Sequence, residues 1–463
     1  MKKTILGVLG LTTLLISGCT STKTTDINVL ATTDLHGVIP NELSSYVENE
    51  KKKDKNITLV DAGDFFDGGF EASGDMNKYF EKRRENAENK NEKYIEVPIA
   101  KEMKDVGYDT VTLGNHEFVS NNKFHLDNMI SDFEKQGISV LSANTYKKNG
   151  DNYTKPYVIK DIKTNEGTVK LGILGLTIKE VGENSEDLKD FDKADGYSDL
   201  YMNDLVEDAK KWVKVMKEDK ADVIVVVTHT GEKPKKPKHP GNRIQDLAQQ
   251  VDGIDAIVAG HTHEQIKQHD YKNKSGENVI VTQPGDHGDC ISKINLKLEK
   301  KDNKWNVVDK SSEIKQFEES KKYLNQLCDN YGKVSAEFTM LNPKVKEINL
   351  SNIVPIKWDK AYVFKPNTTR EKIYDAVGYK FLNITEAEND DMMQMVFMNN
   401  KKVVCYLYGH KGKIGYSVNF DKSEYKDNVL TIIPKENDKF KVEEGKEHPI
   451  THQPIVKLTH IYK

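Results

Sequence analysis

Five times before residue 264, this chain runs through a short stretch of β-branched and aliphatic residues and stops on side chains able to bind a metal. The run at 27–33 ends in Asp34-Leu35-His36, and the run at 57–60 leads into Asp61-Ala62-Gly63-Asp64. The run at 111–113 ends in Gly114-Asn115-His116-Glu117, that at 223–228 in His229, and that at 256–259 in Gly260-His261-Thr262-His263. A short, nearly continuous apolar run is the pattern of a strand buried on both faces. Strands whose ends all carry polar clusters restrict the fold severely, because in layered α/β proteins such ends line one crevice. Side chains remote in sequence then meet there.

The rest of the pattern agrees with a layered α/β class. Strand candidates at 27–32, 57–60, 110–113, 138–141, 169–174, 223–227, 256–259 and 279–282 alternate with longer helical segments such as 97–105 and 203–218. The charged stretch at 77–93 reads as a solvated helix and loop. Residues 297–312 read as a closing strand pair, and 313–338 as a polar helix joining two units. Short strand-like runs at 395–397, 403–407, 429–433 and 455–458 predict a second, smaller β-rich or α+β domain. The expected plan is a main domain at 27–300, a linker with a helix at 301–339, and a C-terminal domain at 340–463.

A chain of 463 residues, 37% of them hydrophobic, is long enough to bury the cores of two or three domains. Its 69 Lys+Arg against 73 Asp+Glu give a net charge of -4, so no basic excess points to duplex nucleic acid as a partner. Residues 1–18 read as a secretory signal: Lys2 and Lys3, an apolar run at 5–16, then Ser17 and Gly18. That run is shorter than the roughly 20 residues needed to span a bilayer. Leu15-Ile16-Ser17-Gly18-Cys19 resembles the bacterial lipobox, which makes Cys19 the expected lipid anchor and 19–26 a short tether. The protein is thus expected on the extracytoplasmic side of a cell membrane, held there through Cys19. Cys290, Cys328 and Cys405, odd in number and widely spaced, predict no disulfide framework and read as small buried hydrophobes.

Imidazoles mixed with carboxylates suit borderline and hard divalent ions, here Zn, Mn, Fe or Mg. Two such ions about 3.5–4 Å apart can clamp the attacking and leaving oxygens of a phosphate ester. The motifs D-x-H, G-D, G-N-H-E, H and G-H-x-H, in this order, resemble those of the calcineurin-like metallophosphoesterases. Ala31-Thr32-Thr33-Asp34-Leu35-His36-Gly37, Gly107-Tyr108-Asp109, Gly114-Asn115-His116-Glu117-Phe118, Ser142-Ala143-Asn144 and Gly253-Ile254-Asp255-Ala256 narrow the likeness. They resemble the secreted 5'-nucleotidase and 2',3'-cyclic-nucleotide phosphodiesterase family, over about residues 27 to 297.

The resemblance implies a β-sandwich flanked by helices and a site for two divalent metal ions. On its pattern Asp34, His36 and His263 hold one ion and Asn115, His229 and His261 the other, with Asp64 bridging. His116 faces the phosphate as the catalytic residue, and a metal-bound hydroxide attacks phosphorus. The implied substrate is a nucleotide; the alternatives are a non-nucleotide phosphate ester, or a surface binding lipoprotein that has the scaffold without turnover. Two features depart from the family. Val119 stands where a carboxylate or amide commonly orients the histidine, and no Asn-Gly-Gly-x-Arg signature follows residue 300. Phe364, Tyr374, Tyr379, Tyr406 and Tyr408 are candidates to stack a base, with a core role the simpler reading of each.

Asp61 and Glu117 read as structural. His125, His239, His269, His287, His410, His448, His452 and His460 read as capped or solvated residues, and the Lys/Pro-rich segment 233–240 as a solvated loop near the rim of the cavity.

Overall fold

Successive side chains of a strand point to opposite faces, and the strand Val223–His229 shows what this produces. Val223, Val225 and Val227 enter one hydrophobic cluster, whereas Ile224 and Val226 enter another. The same parity divides Leu30 from Val29 and Ala31. Each strand is therefore buried on both sides, which is why it reads as unbroken apolar sequence.

The computed structural model describes residues 23–462 except 70–71, 90–91, 180–196, 234–240, 343, 412, 449–451 and 453. The signal segment, Cys19, His239 and most of the 233–240 loop lie outside the described residues. Two six-stranded sheets form the main unit. The first runs Lys304–Gln316, Cys290–Lys301, Lys23–Thr32, Thr58–Asp61, Thr110–Thr112, Ser139–Leu141. The second runs Gln265–Lys272, Asn278–Pro284, Ala256–Val258, Val223–His229, Gly167–Thr177, Tyr157–Thr164. Val29, Ala31 and Val60 of the first sheet share a cluster with Val225, Val227, Val258 and Ile280 of the second, so the sheets pack face to face. Helices cover both outer faces, through residues such as Leu43, Met103 and Phe133 on one side and Leu205, Val213 and Leu247 on the other. The central strands pair in parallel, Lys23–Thr32 with Thr58–Asp61 and Val223–His229 with Ala256–Val258 among them. Their carboxyl ends therefore share one edge within each sheet.

The C-terminal part is β-rich, with two four-stranded sheets. One orders Glu347–Asn349, Lys439–Glu447, Pro454–His460, Tyr416–Asn419; the other Lys402–His410, Met392–Asn399, Lys360–Phe364, Val429–Ile432. Both pack with Val334 and Phe338 of the helix Glu318–Met340. Among the described residues no helix is long and apolar enough to cross a membrane.

The structure corrects the sequence reading in several places. The linker helix starts at Glu318 rather than 313, because Ser311–Gln316 continue the antiparallel ladder opposite Asn295–Cys290 and strand pairing overrides their polar composition. The helix Gly74–Glu88 is not simply solvated: Met76 and Tyr79 are buried, and the Arg83 guanidinium lies over the Tyr79 and Phe80 rings at 5.6 and 5.3 Å. Tyr157–Thr164 and Gln265–Lys272 are edge strands whose exposed charges hide them from an apolar-run reading. The candidate stacking aromatics follow their simpler reading: Phe364 lies in a core cluster with Tyr374, Tyr379 and Tyr406 packed against it, and the Tyr406 hydroxyl donates to the Thr385 carbonyl at 3.0 Å. None of the three described cysteines is in a disulfide; Cys290 and Cys405 are buried, but Cys328 is only half-buried.

The helix Gly74–Glu88 is where the C-terminal part docks. The Gly74 N–H donates to Leu382 O at 3.0 Å, Lys78 pairs with Glu386 and Glu388, and Arg370 forks onto Asp75. A Cβ on Gly74 would sit 2.0 Å from the Ile384 carbonyl oxygen. Gly74→Ala should therefore cost about 1–3 kcal/mol by overpacking. Thermal unfolding measures it; an unchanged Tm would show that the contact yields without cost.

Candidate metal and phosphate site

The polar clusters meet because their loops are laced together by backbone hydrogen bonds. Ala62 N donates to Thr32 O, Asp34 N to Gly63 O, His36 N to Asp64 O and Gly37 N to Phe65 O, all at 2.8–2.9 Å, so pairing continues past the ends of two parallel strands. The loops touch at glycine. A Cβ on Gly114 would lie 2.2 Å from Asp64 Oδ1, and one on Gly63 would lie 2.8 Å from Gly114 N. Asp34, His36, Asp64, His261 and His263 all have positive φ, between 46° and 74°. Non-glycine residues held there cost about 1–3 kcal/mol each, and such strain gathers at functional sites. Here it turns four of the seven expected ligands into one cavity, with Asp34 fully buried beside His263.

That cavity, about 630 Å³, is lined by His36, Asp64, Asp67, Asn115, His116, His261, His263 and His287, with Cys328 of the linker helix on its wall. Asp34, Asn115 and His229 are fully buried, Asp64 and His36 nearly so, and the His263 side chain is 42% exposed at the mouth. Asp34, His36 and His263 offer ligand atoms within 4.8 Å of one another, as do Asp64, His229 and His261. Asn115 Oδ1 lies 3.0 Å from His229 Nε2 and 3.1 Å from His261 Nδ1. All seven side chains expected as ligands, with His116, are thus brought together.

The lone pairs identify what the cluster fits. His229 Nδ1 lies 2.9 Å from the Ala62 carbonyl, which can only accept, so Nδ1 carries the proton. In the neutral ring, Nε2 then presents a lone pair to Asp64 Oδ2 at 2.9 Å and to Asn115 Oδ1. His36 Nδ1 faces the Asp67 carboxylate at 3.4 Å and His263 Nδ1 faces Asp286 at 3.5 Å, which leaves their Nε2 atoms opposed at 3.1 Å. Asp34 Oδ1, buried 3.3 Å from His263 Nε2, has no hydrogen-bond partner among the described residues. Lone pairs converging on lone pairs need a cation between them, and the outward nitrogens are already oriented as metal-ligating imidazoles usually are. With protein groups alone, a proton takes that place at His229 but not at His261. Burial opposes a charge on His229, yet Asp64 and Asp34 outweigh it and raise the ring to about 10. His261, buried beside His229, is pushed down to about 4. The donor set of imidazole, carboxylate and amide oxygen fits divalent ions.

Around this centre, Glu117 accepts from the N–H groups of Asp64, Phe66 and Gly114, and Asp61 from Thr32 Oγ1 and Gly63 N. Both are structural, as expected. His287 corrects the sequence reading: its ring lies 4.9 Å from that of His36 and its backbone N–H donates to Asp34 O at 2.7 Å. Asp67 and Asp286 were not anticipated either. A signal existed for two of these, since the strand Asn278–Pro284 is a sixth apolar run ending in a polar cluster, Gly285-Asp286-His287-Gly288-Asp289. Other histidines lie elsewhere: His460 is buried against Glu424, His410 pairs with Glu81, and His269 with Glu232.

Comparison with known proteins agrees with this geometry. The trifunctional nucleotide phosphoesterase protein YfkN of Bacillus subtilis is 29% identical over 317 residues, which cover 62% of this chain and 20% of that protein. A 2',3'-cyclic-nucleotide 2'-phosphodiesterase/3'-nucleotidase of Yersinia enterocolitica is 27% identical over 65% of this chain and 48% of its own. The chain thus matches no more than about half the length of either relative. The crystal structure of the calcineurin-like phosphoesterase YfkN from Bacillus subtilis superposes with a TM-score of 0.51 at 26% identity, over 64% of this chain and 92% of that one. The family model for calcineurin-like phosphoesterases matches residues 27–265, more than half of the sequence, and the chain belongs to that family.

Proposed function

We propose that this protein is an extracytoplasmic phosphoesterase with two divalent metal ions, hydrolysing nucleoside monophosphates or cyclic nucleotides and tethered to the membrane through lipidated Cys19. The observation that carries the reading is the convergence of unshared lone pairs from Asp34, His36, His263, Asn115, His229 and His261 in one cavity, with His116 beside it. When bound, two such ions polarise the phosphoryl oxygens and acidify water near neutral pH.

The chain's own groups do the rest. Asp34, His36 and His263 would hold one ion and Asn115, His229 and His261 the other, with Asp64 the carboxylate available to both. His116 is mostly buried at the cavity wall, with Nε2 3.9 Å from Asp64 Oδ2. It binds the phosphoryl group and gives a proton to the leaving alkoxide. The buried floor excludes bulk water, which strengthens each of these interactions. The nucleotide assignment draws on the relatives' named activities, and the tether on the lipobox-like sequence.

The test is phosphate release from a panel of nucleoside 5'- and 3'-monophosphates, 2',3'-cyclic nucleotides and non-nucleotide esters, run with and without chelator. The highest kcat/KM is expected on a nucleotide, with activity lost to chelation and regained on adding metal. Preference for a sugar phosphate or another non-nucleotide ester would overturn the substrate assignment. Full metal occupancy without turnover of any ester, an aryl phosphate included, would favour a binding protein.

A further inference from the structure

A histidine that must present one nitrogen to a phosphoryl group needs its other nitrogen held, and the family's usual holder is missing. Val119 offers no acceptor and is 40% exposed on the surface of the helix Asn115–Val119. Asp67 Oδ2 instead lies 3.1 Å from His116 Nδ1, leaving Nε2 turned toward the cavity.

We propose that Asp67 is the positioning residue of His116, supplying from the loop after the strand Thr58–Asp61 the carboxylate that is absent at Val119. The proposal rests on the reading of His116 given above. Asp67 is itself well held. Its Oδ1 accepts from Gly68 N at 2.8 Å, and Gly69 is clamped in both directions by the Asn77 side chain at 2.8–2.9 Å. Its carbonyl oxygen packs against Gly37, where a Cβ would approach to 2.4 Å. The same Oδ2 also reaches His36 Nδ1 at 3.4 Å, and the His36 and His116 rings meet edge to face at 4.8 Å. One carboxylate oxygen thus fixes the orientation of a metal-facing ring and of the phosphate-facing ring together. Asp67 is followed by Gly68-Gly69, so its loop can follow a path that a bulkier sequence would block.

The experiment compares Asp67→Ala, Asp67→Asn, Asp67→Glu, His116→Ala and the double variant Asp67→Ala/His116→Ala in the full chain. Steady-state rates are measured on the nucleotide or alkyl phosphate ester with the highest kcat/KM, with metal content per chain. The ring tautomer of His116 is read by nitrogen-15 NMR. Loss of a carboxylate that orients a functional histidine typically costs about 10–100-fold. At saturating metal Asp67→Ala should lower kcat by that factor with KM little changed, and Asp67→Glu should recover part of it; because Asp67 also faces His36, the variant should need more metal to saturate. The double variant should be no slower than His116→Ala, because both substitutions remove one function. With the ring titrated to its neutral form, His116 should carry its proton on Nδ1 in the wild type and lose that preference in Asp67→Ala. At saturating metal, a kcat within about twofold of wild type, a loss that persists on the His116→Ala background, or an unchanged tautomer would each overturn the proposal. Should the wild type hydrolyse no ester, the functional reading fails, while the tautomer still decides the role of Asp67.

Discussion

Asp64→Ala is expected to abolish metal retention and turnover together. The Asp64 carboxylate is buried to 2% exposure and tied in two directions, Oδ2 to His229 Nε2 at 2.9 Å and Oδ1 to the His116 N–H at 2.8 Å. Burial favours its protonated form, but His229, His116 and His36 prevail and hold the carboxyl far below the ordinary carboxylate range. It is therefore a permanent anion at the centre of the cluster. Alanine removes the negative charge that the metal ligands surround and leaves the N–H of His116 without its acceptor. The several kcal/mol of charge stabilisation that a metal centre supplies corresponds to at least about 10³-fold in rate. Elemental analysis after gel filtration, with kcat on the best substrate, measures both effects. Asp64→Asn keeps an oxygen for the His116 N–H and should lose metal with less damage to the loop. Full metal content in Asp64→Ala would contradict the placement of this carboxylate between the ions.

How far the site was legible follows from what each residue announces in one dimension. Asp34, His36, Asp64, Asn115, His229, His261 and His263 each end an apolar run, and the sheet brings run ends to one edge, so their convergence could be read without coordinates. The fold's two faces were legible for the same reason: Val223 through Val227 are buried on both sides and leave no polar alternation. Asp67 was not legible, because nothing in Asp64-Phe65-Phe66-Asp67 says that the loop curls back beneath His116. His287 was missed because its run, Asn278–Pro284, ends in proline and glycine, the signals of an ordinary turn. The edge strands Tyr157–Thr164 and Gln265–Lys272 escaped because an edge exposes alternate side chains and tolerates charge. The docking of Gly74 on Leu382 and Ile384 depends on tertiary approach alone, and no pattern in either segment encodes it.

His116→Ala is expected to separate catalysis from metal binding. In contrast to His229, whose nitrogens are fully committed within the buried floor, the His116 side chain is 20% exposed, with Nδ1 on Asp67 and Nε2 toward the cavity. Although burial opposes its charge, hydrogen bonding to Asp67 and the field of Asp64 raise the ring to about 9. A cationic ring suits both attraction to a phosphate dianion and donation of a proton to a leaving alkoxide. Removing it takes away that donor and an edge-to-face contact with the His36 ring, but keeps the hydrogen bond to Asp64, which is made by the His116 backbone N–H. Turnover of a nucleotide should fall by about 10²- to 10⁴-fold, the range typical of a positioned acid or base. The loss should shrink for an aryl phosphate, whose leaving group needs no proton. The contrast between the two substrates is the decisive measurement: an equal loss on both assigns His116 to holding the phosphoryl group alone, and a fall in metal content equal to that of Asp64→Ala would make it a ligand instead.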